Sequence, residues 1–361
     1  MMMSNNDDDN NNVSSMSTSM SMSMSMSKSS LHGKVAVITG STQGLGEATA
    51  RLFKERGCQG IVISGRNAQR GQQLVKELND TTNDNDCCTV IFVPADLAQL
   101  DDCRNLIKVA DATFHRIDIL VNAAGTSERC SIYDTTPAQY DHIMNVNTRA
   151  PFFLMQDVAR IMERNNNNSN TVKGGGGGSI INISSTASYG SMPMIAPYGM
   201  SKGALNVATK NAAYAFMWSR IRVNALAIGW MDSPGEDDIQ QRMHSTSTPT
   251  STGSSEGSSS NGTATAAVPP PNLHWKAVAE PNQPFGRLLK CEEVARMIAF
   301  CASDESGMMT GCVIDFDQSV FGCGNAPVPP PKSEWTRANN GMTFTFHDDN
   351  NDSNSNTNDN K

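Results

Sequence analysis

From residue 34 onward, short runs of aliphatic and β-branched residues alternate with longer stretches in which apolar positions recur at helical spacing. The runs predict strands over 35–39, 60–64, 89–93, 117–121, 179–183, 222–225 and 312–314. Unbroken apolar runs of this length suit strands buried on both faces, as in a parallel sheet. The amphipathic stretches predict helices over 44–56, 68–78, 97–114, 137–164, 198–219 and 292–303. Parallel neighbours require crossovers of helical length, and such crossovers are right-handed. The expected fold is α/β: a three-layer, Rossmann-type, doubly wound parallel sheet of seven strands in a single domain.

Low-complexity segments interrupt this pattern and set the expected boundaries. Residues 1–30 (Met, Ser, Asn and Asp) and 325–361 (Asn- and Asp-rich) are expected to be disordered tails, with the domain over 31–324. Within it, an Asn and Gly insert at 165–178 and a Ser- and Thr-rich insert at 245–272 are also expected to be disordered. Both lack the apolar side chains that offset ordering entropy. Topology separates their roles. Helix-to-strand connections lie at the amino edge of such a sheet, whereas ligands bind at the carboxyl edge. The first insert therefore sits away from chemistry, and the second follows the sixth strand, where a substrate lid would lie. Shortening 245–266 is expected to alter the Michaelis constant more than shortening 165–178.

The formal net charge of −8 and the absence of a Lys/Arg run exclude a protein built to hold nucleic acid, so the expected partner is a small molecule. Nine cysteines include no C-x-x-C pair, and the six histidines form no ligand constellation, so reduced thiols and no metal are expected. The N-terminus has no apolar signal-peptide core and carries Asp7, Asp8 and Asp9, and no apolar run reaches the roughly 18 residues of a membrane span. A cytoplasmic protein without membrane contact is the expectation.

Residues 39–46 read Thr-Gly-Ser-Thr-Gln-Gly-Leu-Gly between a strand and a helix. Gly40 permits a tight turn, and Ser41, Gln43, Gly44 and Leu45 bring backbone N–H groups to a pyrophosphate at a helix N-terminus. Gly46 lets helix and sheet pack closely. After the second strand a ribose with free hydroxyls ordinarily meets an acid. Residues 61–74 contain none, but Arg66 and Arg70 are there. A guanidinium suits a 2′-phosphate, so NADP (NADPH) is expected over NAD, with Arg66 as its contact. Asp96, followed by Leu97, either accepts from an adenine amino group or caps the next helix. Asn122, Ala123, Ala124 and Gly125 end the fourth strand with small residues that let backbone run beside a ribose and nicotinamide.

Tyr198 and Lys202 are one helical turn apart and share a face, with Ser185 at a strand end upstream. A phenol with a pKa near 10 is a poor acid or base at pH 7. An ammonium held close is expected to lower it.

With these residues in view, the chain resembles the short-chain dehydrogenase/reductase family from residue 33 to residue 322, apart from the inserts. The resemblance rests on T-G-x-x-x-G-x-G at 39–46, N-A-A-G at 122–125, the Asn147 segment, Ile183-Ser184-Ser185, Tyr-x-x-x-Lys at 198–202 and the Arg222–Ala225 stretch. It implies Tyr198 as general acid/base, Ser185 as hydrogen-bond partner of the substrate oxygen, and Lys202 as holder of the nicotinamide ribose. It also implies Asn147 in a water-linked proton relay, and hydride transfer between nicotinamide C4 and a carbonyl or carbinol carbon. A homodimer or homotetramer is implied, through the two long helices. Leu205, Ala208, Ala212, Ala215 and Phe216 offer an apolar face for it. Two departures bear on pocket shape: the family's Pro-Gly after the sixth strand is Ile228-Gly229-Trp230, and its Asp-Gly-Gly is Asp317-Gln318-Ser319.

The lid begins with Glu236, Asp237 and Asp238, with Arg242 and His244 as the nearest cations in sequence. Such a lid repels acyl-carrier or coenzyme A phosphates and points to a neutral polar substrate of sugar or polyol type. The same acids also favour a helix start. The alternatives are a 3-oxoacyl reductase and a dinucleotide-binding regulator without turnover.

Overall fold

The computed structural model describes residues 30–80, 88–168, 177–245 and 274–320. The expected tails, and the interior of both inserts, lie outside these residues. The described chain runs β1 (Val35–Ile38), α1 (Gly44–Glu55), β2 (Gly60–Gly65), α2 (Ala68–Asp80), β3 (Thr89–Pro94), α3 (Leu100–Phe114), β4 (Ile119–Asn122) and α4 (Pro137–Met144). A π turn (Asn145–Arg149) leads into α5 (Ala150–Asn168). Then follow β5 (Gly178–Ser185), α6 (Ala196–Ala215), β6 (Ile221–Ile228), β7 (Met231–Asp232), α7 (Pro234–Ser245), α8 (Trp275–Ala279), β8 (Leu289–Lys290), α9 (Cys291–Ala302) and β9 (Val313–Phe316).

Seven strands form one parallel sheet in the order β3-β2-β1-β4-β5-β6-β9. The strand order reverses between β1 and β4, which opens a crevice at their carboxyl ends. Side-chain alternation divides the core between two faces. Ala36, Ile38, Ile61, Ile63, Ile119 and Val121 pack with Phe53 of α1 and Val294 and Ile298 of α9. Val37, Val62 and Leu120 pack with Leu106 of α3 and Leu154 and Val158 of α5. Fully burying one such aliphatic side chain stabilises by about 1.5–3 kcal/mol.

Three departures from expectation have physical causes. The stretch expected as one helix over 137–164 is α4 and α5 joined through the π turn, which adds a residue to one turn without breaking the apolar periodicity. A Thr136/Gln139 capping box with Pro137 in the first turn starts α4. The two-residue ladder of β7 with β8 was not expected; it is too short to leave a periodic signature. Of the face expected for oligomer contacts, Leu205, Ala208 and Ala212 of α6 and Phe216 at its C-cap turn into the core, and Ala215 is exposed. The solvent face instead carries Met200, Val207 and Tyr214, two turns apart, with Phe152 of α5 also exposed.

Candidate active site

A cleft of about 1270 Å³ lies along the carboxyl edge, lined at one end by the β1–α1 turn and at the other by α7 and α8. At the first end, Gly40 and Gly44 adopt positive φ of 64° and 58°. A Cβ on Gly40 would sit 2.7 Å from Ala124 Cα, and one on Gly46 would sit 2.4 Å from the Gly40 carbonyl oxygen. Only glycine satisfies both. Gln43, the N-cap of α1, makes no side-chain cap bond, so the first amides of α1 are free to receive an anion.

The sequence-predicted residues divide between lining and scaffold. Gly40, Gln43, Gly44, Leu45, Gly46, Arg66, Asp96, Leu97, Ala123, Ala124, Gly125, Ser185, Tyr198 and Lys202 line the cleft, whereas Ser41, Asn122 and Asn147 lie beneath it. The Ser41 hydroxyl donates to the Ile38 carbonyl (2.6 Å) and accepts from the Ser64 amide (2.9 Å), fastening β1 to β2. Asn122 Nδ2 donates to Asn182 Oδ1 (2.8 Å). Thr39 joins the glycine turn to β4, because its hydroxyl accepts from the amides of Ala123 (3.1 Å) and Ala124 (3.2 Å).

Arg66 is exposed at the end of β2 and forms no ion pair among the described residues, whereas the Arg70 guanidinium donates to Gln43 Oε1. Asp96 Oδ1 accepts from the Ala98 amide (3.0 Å), and its own amide donates to Asp102 Oδ2 (2.8 Å). Asp96 therefore orders the turn into α3 while still lining the cleft.

Tyr198 lies in the first turn of α6, and Lys202 Nζ is 5.7 Å from its ring centroid. Lys202 is buried and donates to the Ile183 carbonyl (2.7 Å); desolvation pushes its pKa down to about 8. Contrary to expectation, the Tyr198 pKa lies above its ordinary value. Burial outweighs the hydrogen bond from Ser185, and Glu236 adds to the rise while Arg129 opposes it. Burial thus favours the neutral phenol over the phenolate.

Asn147 owes its position to the π turn. Its Oδ1 accepts from the Thr126 amide (2.9 Å), and its Nδ2 donates to the Thr126 carbonyl (2.9 Å) and to Ser201 Oγ (3.0 Å). The Ser201 hydroxyl in turn donates to the Tyr198 carbonyl (2.7 Å), which couples Asn147 to the backbone of the phenol. Ser201 is a positioning residue that the motifs do not reveal. A Cβ on Gly125 would lie 3.4 Å from both Asn147 Oδ1 and Lys202 Nζ, so the bare glycine lets both groups approach the backbone of that turn.

At the other end the acids expected to repel anions are largely neutralised. Glu236 pairs with Arg129 (3.0 Å) and also accepts from Trp230 Nε1 (3.1 Å) and Gln240 (2.7 Å). Asp237 accepts from Trp275 Nε1 (2.7 Å), and Lys276 bridges Asp232 and Asp237. Trp230 and Trp275 stack at 5.6 Å. Lys276 and Arg129 are distant in sequence from the acids they meet, so local sequence names the wrong cations. Among the described residues, no group of three or more His, Cys, Asp or Glu is placed to hold a metal ion, and no helix is long and apolar enough to cross a membrane.

A glycine turn opening an uncapped helix, small residues just after β4 and a Ser, Tyr and Lys beside them define a dinucleotide-binding oxidoreductase. The short chain dehydrogenase family profile matches residues 34–244, more than half of the chain. The chain is 31% identical over 288 residues to an uncharacterized oxidoreductase of Thermotoga maritima, covering 80% of this chain and 97% of that protein. It is 29% identical over 285 residues to the NADP-dependent (R)-specific alcohol dehydrogenase of Lentilactobacillus kefiri, covering 78% and 94%. The L-sorbose reductase of Gluconobacter frateurii, solved with NADPH and L-sorbose, shares the fold at a TM-score of 0.67 and 22% identity, covering 82% of this chain and 99% of that one. The chain belongs to the short-chain dehydrogenase family, and is an NAD(P)-dependent oxidoreductase acting on CH–OH or keto groups.

Proposed function

We propose that this enzyme uses NADPH to interconvert a neutral polar ketone and its secondary alcohol, with Tyr198 as the proton donor and acceptor. The observation that carries the reading is the convergence of Ser185, Tyr198 and Lys202 on one wall of the cleft. The nicotinamide, when bound, supplies or takes up the hydride. In the reductive direction Tyr198 holds its proton until negative charge develops on the substrate oxygen, then donates it. The raised phenol pKa keeps that proton in place before reaction. Ser185 orients the same oxygen. Lys202 brings a positive charge next to the phenolate left behind, which lowers the cost of proton release. Asn147, fixed by Thr126 and Ser201, holds the wall on which a relay water would be replenished from solvent.

Gly40, Gly44 and Gly46 would hold the pyrophosphate against α1, Asp96 the adenine, and the backbone of Ala123 to Gly125 the nicotinamide riboside. NADPH is favoured over NADH because Arg66 has no ion-pair partner among the described residues at the position where a 2′-phosphate would meet it. The exposed Met200, Val207 and Tyr214 of α6 and Phe152 of α5 support a homodimer or homotetramer.

The test combines titration with NADPH and NADH and a turnover panel of sugars, polyols, simple ketones and acyl thioesters. The expected result is tighter NADPH binding and turnover of hydroxylated or simple ketones. Tyr198→Phe should lower kcat by about 10²–10⁴-fold with NADPH binding retained. Preference for acyl thioesters would replace the substrate class with oxoacyl reduction, and cofactor binding without any turnover would make the protein a regulator.

A further inference from the structure

The substrate end of the cleft holds an ion pair that the catalytic residues do not use. Arg129, from the loop after β4, and Glu236, from the first turn of α7, meet at 3.0 Å with side-chain exposures of only 19% and 12%. Both side chains line the same cleft as Ser185, Tyr198 and Lys202. Glu236 Oε1 takes all three of its donors, from Arg129, Trp230 and Gln240. Oε2 accepts no hydrogen bond among the described residues. Arg129 spends a single N–H on Glu236 and has no other partner among them.

Trp230 also lines the cleft, held against Trp275 by stacking and against Glu236 by its indole N–H. The wall therefore presents a free carboxylate oxygen, free guanidinium donors and an aromatic surface together, with no net charge. That set matches the surface of a polyhydroxylated carbon chain, where hydroxyls donate and accept while C–H groups lie against an aromatic face. A lone guanidinium would favour an anion instead. The paired carboxylate opposes that choice, since an anionic substrate has to displace Glu236 from a half-desolvated partner.

We propose that the Arg129–Glu236 pair and Trp230 form a hydroxyl-recognition subsite that selects ketones bearing hydroxyl groups next to the carbonyl carbon, Arg129 donating to one hydroxyl and Glu236 Oε2 accepting from another. This rests on the ketone–alcohol reading above and names its substrate class.

The test uses Glu236→Gln, which keeps size and lid contacts, and Arg129→Met, which keeps the aliphatic stem. With NADPH, kcat/KM is measured for a ketohexose, an apolar cyclic ketone and a 2-oxo acid. Each variant is expected to lower the ketohexose-to-apolar-ketone selectivity by about tenfold or more, because a site built to bond a hydroxyl loses most when its partner is removed. A merely structural role lowers both ketones equally and would overturn the subsite. A rise in 2-oxo acid turnover in Glu236→Gln is expected as well, because Arg129 then faces the cleft without its carboxylate; a wild type that already prefers the 2-oxo acid to the ketohexose would overturn the subsite and assign Arg129 to an anion. A parallel readout needs no turnover: calorimetric titration of the ketohexose into Tyr198→Phe protein saturated with NADPH. Binding there, weakened about tenfold by adding either variant, supports the subsite, and absence of binding overturns it. Failure of Tyr198→Phe to abolish turnover would instead overturn the reading on which the subsite rests.

Discussion

At the nucleotide end of the cleft, Gly40, Gly44 and Gly46 present backbone alone, and the fit between β1, α1 and β4 leaves no room for a Cβ on Gly40 or Gly46. At the substrate end, Arg129, Trp230, Glu236 and Trp275 present side chains held by one another, from three separate stretches of the chain. A surface made of backbone amides serves any ligand with a pyrophosphate and has little freedom to change. A surface made of paired side chains can change its chemistry without altering the sheet. One fold can thus keep a common cofactor while its substrates diverge.

This contrast is open to attack by mutation. The largest effect is expected from Gly40→Val, which places a β-branched side chain at φ +64° and against Ala124. NADPH binding should fall below detection in a fluorescence titration, and Tm should drop as well. Retained binding would show that the turn is not confined to glycine.

The next effect concerns Lys202, where the two ends meet. Its folded pKa of about 8 lies below the unfolded value of about 10.4. Between these values the unfolded chain binds more protons, so this group's contribution to stability rises with pH, and it is least favourable below pH 8. From pH 8 to 9.5 the wild type should gain about 1.5 kcal/mol relative to Lys202→Met, read from urea midpoints. Parallel pH profiles for the two proteins would remove the assigned burial cost.

A smaller effect tests the side chain on which the choice between NADPH and NADH is expected to depend. Arg66→Ala should cut the preference for NADPH over NADH by about tenfold, with NADH affinity little altered. Equal loss for both cofactors would place Arg66 outside phosphate recognition.

Sequence made the nucleotide end legible because its constraints are local. The spacing of Gly40, Gly44 and Gly46, and the β-branched runs around them, lie within one strand–turn–helix unit. Tyr198 and Lys202 were legible for the same reason, being one turn apart on α6. The sign of the Tyr198 pKa was not, since spacing places the ammonium but does not weigh the burial of the phenol against it. The Arg129–Glu236 pair joins residues 107 positions apart, and no periodicity connects them. Lys276 was hidden likewise, on the far side of an insert from Asp232 and Asp237. The π turn escaped notice because Ile143 and Leu154 on either side both remain buried, as a continuous helix would also have them.

That turn makes the stretch around Asn147 sensitive to residue count rather than residue identity. Removing one residue from Asn145–Arg149 would convert it to an ordinary helical turn and leave α5 in its present rotation. Leu154 and Val158 would stay in the core while Asn147 lost its bonds to Thr126 and Ser201. The extra residue therefore serves the site and not the packing of α5, and a single deletion here would separate the loss of one from the loss of the other.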